Sequence, residues 1–360
     1  MTPAANAIEL VPPGSTIGIV GGGQLGRMLA LAAARLGYRC HVFEPGESPC
    51  AADVAARFTR AGYDDVEALR RFAASVDVAT YEFENVPASS LEAIASKLRP
   101  GVASLQVGQE RGLEKEFIER TGARVGRWIR IDSEADALEA ERRLGLPLVL
   151  KTRSLGYDGK GQAWADSPGS VLDAWQSIGR RPAVAEARVD FDCEFSVVLA
   201  RDPGGTIAAW DLPLNHHENG ILRRSSVPAG GAVEAQAEEA LRAAAAIAES
   251  LGHVGVLTVE FFATCDGPLV NEIAPRVHNS GHWTIEGAVT SQFEQHIRAI
   301  CGLPLGSTAR VGASAVMENL LGDEVAGWPR LVADPRAHVH LYGKDAPRPG
   351  RKMGHVTRIG

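Results

Sequence analysis

The stretch IGIVGGGQLGRMLALAAARLG, Ile17 to Gly37, decides the fold of the first third of this chain. Its apolar start has the length of a strand, the glycines make a tight turn, and the apolar positions after Gln24 recur at helical spacing. Gly21, Gly23 and Gly26 satisfy the G-x-G-x-x-G spacing of a dinucleotide-binding turn. The same turn suits any phosphate-bearing ligand, because free N–H groups and the helix dipole favour an anion there. Glu44, after the next strand, is placed to take a ribose hydroxyl in a nicotinamide site.

Outward from this stretch, strands and helices alternate. TIGIV, RCHVFEP and DVATYEFENV read as strands, and RMLALAAARLG and DDVEALRRFAAS as helices, so residues up to about 110 form a parallel α/β unit. From Glu110 the character changes. LEKEFIERTG and SEADALEAERRLG are charged helices, LPLVLKTR is a strand, and SLGYDGKGQ is a glycine-rich loop. AVAEARV, CEFSVVLA and GTIAAWDLP read as an antiparallel series with a turn at Pro203 to Gly205. An Ala-rich helix, Ala232 to Leu251, leads into VLTVEFFATCDGPLVNEIAPR, a hairpin turning near Asp266 and Gly267. The tail HVHLYGKDAPRPGRKMGHV is short, turn-rich and basic.

Composition bounds the function. The 360 residues, 45% hydrophobic and 22% charged, suffice for two or three domains with their own cores. A net charge of −7 gives no general attraction to nucleic acid or anionic membrane, so a phosphate ligand requires a local basic pocket. The five cysteines are scattered, with no C-x-x-C pair, which suits a reducing cytosol. The opening MTPAANAIELVPPGS has no positive region before a long apolar core, and no window approaches the roughly 18 apolar residues of a membrane span. A soluble cytoplasmic protein is expected.

The second half carries chemistry of its own. Lys151 ends a strand before Gly156, Gly159, Lys160 and Gly161; the Walker A order is absent, but a lysine with a glycine loop can cover phosphates. An ordinary structural turn fits the same residues. A hairpin centred on Asp266 makes Glu260 and Glu272 cross-strand neighbours. Two carboxylates roughly 4 Å apart repel by about 4 kcal/mol at an effective dielectric near 20, which a magnesium ion would relieve. Two glutamates facing solvent on opposite faces satisfy the spacing equally. EIAPRVHNSGHW then gathers Arg276, His278, Asn279, Ser280 and His282, as a polar ligand or an inter-strand polar network requires.

GGGQLGRM, TYEFENVP, KTRSLGYDGKGQ, VEFF with VNEIAPRVHNSGHWTIEGA, and QFEQHIRAICGLPLG, in this order, resemble the ATP-grasp family of purine biosynthesis that makes 5-(carboxyamino)imidazole ribonucleotide. The likeness runs from about Ile17 to about Met353, and YDGKGQ and RVHNSGHWT are its specific parts. It implies an α/β and α+β protein in three parts: a Rossmann-like pre-ATP-grasp domain over 1–112, an ATP-grasp domain over 113–305 with a lid at about 146–190, and a small β-rich domain over 306–360. It implies a ligase using ATP, bicarbonate and 5-aminoimidazole ribonucleotide, as a homodimer. The glycine turn then faces the ribonucleotide, not a dinucleotide.

Carried over by residue, the resemblance assigns ATP to Arg111, Lys151, the loop Gly156, Tyr157, Asp158, Gly159, Lys160, Gly161 and Gln162, the hinge Glu186, Ala187, Arg188 and Val189, then Glu194, His217, Asn271 and Glu272. Hinge backbone reads the adenine edge, and Glu194, an acceptor only, suits the ribose. Magnesium falls to Glu260 and Glu272; where the wider superfamily commonly has asparagine two places later, Ala274 stands here. Gln24, Leu25, Glu82, Tyr157, Arg276, His278, Asn279, Lys344, Arg351 and Lys352 match the ribonucleotide site, with the basic tail as phosphate clamp. Asp158, Lys151 and Arg276 fall in catalytic places. Two alternatives are a nicotinamide oxidoreductase, which leaves Lys151 and the paired glutamates idle, and a formate-dependent glycinamide ribonucleotide formyltransferase, against which Gln24, YDGKGQ and HNSGHW weigh.

Overall fold

In the computed structural model, which describes residues 10–154 and 161–360, three sheets take up consecutive runs of the chain. The first run supplies β1 (Thr16–Val20), β2 (Arg39–Phe43), β3 (Arg57–Thr59) and β4 (Val78–Tyr81), paired in parallel in the order β3-β2-β1-β4. β1 lies inside this sheet with Ile17, Ile19 and Val20 fully buried, as an unbroken apolar run in a parallel sheet must be. Strand order reverses between β1 and β4, so a crevice opens beyond their carboxyl ends. Val20 is in register with Tyr81, which brings the glycine turn after β1 beside Glu82 after β4.

The second run supplies β5 (Trp128–Ile131), β6 (Leu148–Thr152), β7 (Gln162–Ala165) and β8 (Ala183–Ala187), antiparallel in the order β5-β8-β6-β7. Helices Glu134–Leu144 and Ser170–Ser177 cover it through Ala137, Leu144, Val171 and Trp175. Ser133 caps the first of them and Gly145, at φ 77°, ends it. Here the expected antiparallel series is corrected: AVAEARV joins this sheet as β8, and CEFSVVLA begins another. Neighbours in sequence part because β8 finds partners on both sides, β5 and β6, within its own unit.

The third run forms a nine-stranded sheet from β9 (Cys193–Arg201), β10 (Ile207–Ala209), β11 (Leu214–Glu218), β12 (Ile221–Val227), β13 (Gly255–Thr264), β14 (Gly267–Ala274), β15 (Ala315–Leu321), β16 (Ala337–Leu341) and β17 (Lys352–Ile359). Its order is β14-β13-β9-β11-β12-β15-β17-β16, with β10 paired to β9. Helix Gly231–Ser250 packs one face through Ala240, Ala244 and Ile247 against Leu199 and Leu257. On the other face, helix Gln292–Ile300 contacts β9 and β13 and also the helix of the glycine turn, Gln24–Arg35. One core, containing Leu29, Ala33, Val198, Ile297 and Met317, therefore ties the first unit to the large sheet.

Candidate active site

The three sheets meet around a cleft of about 1790 Å³. Ser280 and His282 of the polar cluster are buried away from it, but its walls include every described residue assigned to ATP, magnesium or the ribonucleotide except Gly161. Gly161 is a correction. Its carbonyl accepts the Thr152 N–H, and a Cβ there would lie 2.6 Å from Thr152 Oγ1, so it packs on β6 instead of facing the cleft. Gly156, Tyr157, Asp158, Gly159 and Lys160 lie outside the described residues.

At one end of the cleft, the glycine turn already holds anions of the protein's own. Gly23 N–H donates to Glu82 Oε1 at 2.7 Å and Gly26 N–H to Oε2 at 3.3 Å, while Gly22 N–H donates to Glu44 Oε2 at 2.9 Å. Glu44 also accepts from Tyr63, which occupies the group expected for a ribose hydroxyl. The glycines are needed for this reason: a Cβ on Gly21 would come within 2.7 Å of Glu82, and one on Gly22 within 2.4 Å of Pro49. Sequence spacing alone suggested that an incoming ligand required them. Burial pushes the Glu82 carboxyl up, and the two glycine amides oppose it. Arg276 donates to Glu84 at 2.9 Å, and Lys344 donates to the Lys352 carbonyl at 2.8 Å. Burial lowers the Lys344 ammonium to about 8, so this group titrates near neutrality. Arg351 donates to the Ala346 carbonyl. Asn279 is buried, and neither side-chain amide atom has a partner among the described residues, as suits a group facing a polar ligand.

At the other end, Glu186 lies between two lysines, with Oε2 3.1 Å from Lys151 and Oε1 3.3 Å from Lys115. Burial alone would raise the Glu186 carboxyl, but Lys151, Lys115 and Arg111 hold it down at about 2. The hinge expectation used only its backbone, and its side chain proves to be an ion-pair centre. Burial lowers the Lys151 ammonium against the pull of Glu186, with Arg111 and Lys115 lowering it further. Arg111 Nη1 is 3.4 Å from Glu272. His217 Nδ1 is 2.7 Å from Glu194 Oε2. Burial opposes protonation of His217, yet Glu194 and the nearby Glu260 raise it above the usual imidazole range.

The hairpin β13–β14 places Glu260 opposite Glu272, by a route the sequence did not reveal. Thr264 pairs with Gly267, a turn that in regular register would set Asn271 against Glu260. A bulge beside Glu260 adds one residue, so Asn271 and Glu272 both face it. Burial, then Glu272, raises the Glu260 carboxyl to about 7. His278 Nε2 stands 3.3 Å from Glu260. Two carboxylates and the buried Asn271 Oδ1, unpartnered among the described residues, are hard oxygen donors of the kind magnesium takes, alongside phosphate oxygens. The residues fit that ion.

Lys115 and Glu114 were missed. Both lie on helix Arg111–Arg120, where Glu114 accepts the Ile273 N–H at 2.6 Å and is raised to about 8 by burial. Their signal was the i, i+4 spacing of Arg111 and Lys115, which sets both on one helix face.

The chain is 49% identical to the N5-carboxyaminoimidazole ribonucleotide synthase of Brucella melitensis, over 96% of this chain and 97% of that one. It belongs to the N5-carboxyaminoimidazole ribonucleotide synthase family. Family models agree along the length: the ribonucleotide synthetase preATP-grasp domain matches residues 15–109, the ATP-grasp domain 116–293, and the phosphoribosylaminoimidazole carboxylase C-terminal domain 315–360. An N5-carboxyaminoimidazole ribonucleotide synthase family structure from Staphylococcus aureus, complexed with ADP, superposes with a TM-score of 0.93 at 37% identity, covering 99% of this chain and 96% of that one. A synthase from Aspergillus clavatus, in complex with ADP and 5-aminoimidazole ribonucleotide, gives 0.90 at 29% identity, covering 96% and 94%.

Proposed function

We infer that the chain is an ATP-dependent ligase that carboxylates 5-aminoimidazole ribonucleotide with bicarbonate, forming 5-(carboxyamino)imidazole ribonucleotide, ADP and phosphate in purine biosynthesis. The observation that carries this reading is one cleft with two unlike ends, one presenting Lys151 and Arg111 beside the paired glutamates and the other lined by Gln24, Arg276 and Lys344. A bicarbonate oxygen attacks the γ-phosphorus, the bond to the β-γ bridging oxygen breaks, and ADP leaves. The carboxyphosphate releases phosphate and carbon dioxide, the exocyclic amine attacks the carbon, and the amine loses its proton.

Lys151 and Arg111 neutralise the transferring phosphoryl group, so no protein nucleophile is needed. Glu194 and His217 hold the ribose of ATP, and hinge backbone at Glu186 to Val189 reads the adenine. Glu260 and Glu272 would hold magnesium, which when bound would supply charge neutralisation at the phosphates. Lys344, Arg351 and Lys352 take the ribonucleotide phosphate, Arg276 and Asn279 the remainder, and Asp158 receives the amine proton. A cytoplasmic homodimer acting on small molecules alone, with neither nucleic acid nor membrane, completes the reading; among the described residues no helix is long and apolar enough to cross a membrane.

ATP hydrolysis assayed with each ribonucleotide tests this. Phosphate release is expected with 5-aminoimidazole ribonucleotide and bicarbonate. Release with glycinamide ribonucleotide and formate instead would assign the sibling formyltransferase reaction.

A further inference from the structure

Lys115 is 1% exposed, and its ammonium is fully withdrawn from solvent in helix Arg111–Arg120. A lysine so placed loses its hydration and is retained only against a partner charge. That partner, Glu186, already has Lys151 on its other oxygen. Counting charges over the three groups gives two lysines and one carboxylate, a net of +1. Without Lys115 the count would be zero, and Lys151 would face the cleft as half of a neutral pair.

We propose that Lys115 is a positioning residue for nucleotide binding: by neutralising the second oxygen of Glu186, it lets that carboxylate hold Lys151 in place without cancelling the positive charge offered to the phosphates. The proposal rests on the reading that Lys151 faces the nucleotide phosphates. Its helix is suited to the task. From one face, Arg111 reaches Glu272, Glu114 takes the Ile273 amide of β14, and Lys115 reaches Glu186 on β8. The same short helix thus sets the charge of both walls of the cleft, one from the large sheet and one from the small.

Charge counting makes the proposal separable from a merely structural role. ADP affinity is measured by titration calorimetry on the full chain, with cooperative melting checked for each variant. Lys115→Met is expected to weaken ADP by about tenfold or more, since one unit charge near a diphosphate is removed. Lys115→Arg, which keeps the charge, is expected to bind like the parent. Glu186→Gln raises the count to +2 but also frees Lys151 from its anchor, so its ADP affinity serves as the reference for the double variant. Lys115→Met with Glu186→Gln returns the count to +1 and should bind ADP more tightly than Lys115→Met alone, which lost packing would not bring about. If Lys115→Met does not fold, the comparison of Glu186→Gln with the double variant still decides, because the double variant should be the weaker of the two. Equal affinity in those two, or a double variant as weak as Lys115→Met, overturns the proposal. Lys151→Met separates the underlying reading: loss of ADP binding there but not in Lys115→Met overturns the role of Lys115 alone, and loss in neither overturns the placement of the phosphates.

Discussion

Glu82 shows how much one side chain changes the meaning of a motif. A carboxylate on the amides of Gly23 and Gly26 fills the place where a dinucleotide pyrophosphate would sit, so the G-x-G-x-x-G spacing here fastens β4 to the helix of the turn. Replacing Gly23 by Val sets a Cβ 2.9 Å from Glu82 Oε1 and should expel that carboxylate. The expected cost is about 2 kcal/mol of stability, as for other buried hydrogen-bond losses, together with lost ribonucleotide binding and retained ADP binding. Calorimetric titration with each ligand and a thermal melt check this; ADP lost together with the ribonucleotide would contradict it. Lys344 makes a second prediction at this scale. With its ammonium lowered to about 8, it is charged below that pH and neutral above. The apparent KM for the ribonucleotide should therefore rise as pH passes through about 8, and Lys344→Met should flatten that rise in a pH profile of kcat/KM.

At the scale of elements, the hairpin β13–β14 and helix Arg111–Arg120 decide the nucleotide end. The bulge beside Glu260 turns Glu260, Asn271 and Glu272 toward one cleft wall, where burial and then Glu272 push the Glu260 carboxyl up. Glu272→Gln removes one acidic donor and leaves Arg111 without its partner. Magnesium-supported turnover should fall by on the order of 100-fold, as when other preorganised charges are deleted from active sites. Titration of the activity with magnesium measures it, and parental turnover at low magnesium would remove Glu272 from the metal site. The hairpin itself was readable, since VLTVEFF and PLVNEIA flank a turn pair. The bulge was not, because an added residue is stabilised by side chains and strands that no local pattern records.

For the whole molecule, the last three strands extend the sheet of the middle of the chain: β15 pairs with β12, and β17 and β16 follow. Met317 and Ala315 of β15 lie in the same core as Ile297 and Leu29. Removing residues 315–360 would bare the edge of β12 and open that core. The truncated chain is expected to aggregate and to show no cooperative melt by circular dichroism. A soluble, cooperatively melting product that still binds ADP would mean that the last strands are a separable unit.

Sequence by itself determined the local elements and the inventory of the site. Alternation of apolar runs placed β1, β2, β4 and β6, SEADALEAERRLG read as a helix, and nearly all of the described residues that the family motifs named reach the cleft. These signals are short-range, carried by periodicity, caps and turns within a dozen residues. Only the tertiary structure decided which charges meet. Glu82 finds Gly23 across 59 positions, Glu186 on β8 finds Lys115 on helix Arg111–Arg120, and β8 leaves its sequence neighbour β9 for another sheet. Such pairings follow from desolvation: a carboxylate taken out of water must accept whatever donor the packing brings to it, and packing is a property of the folded chain as a whole.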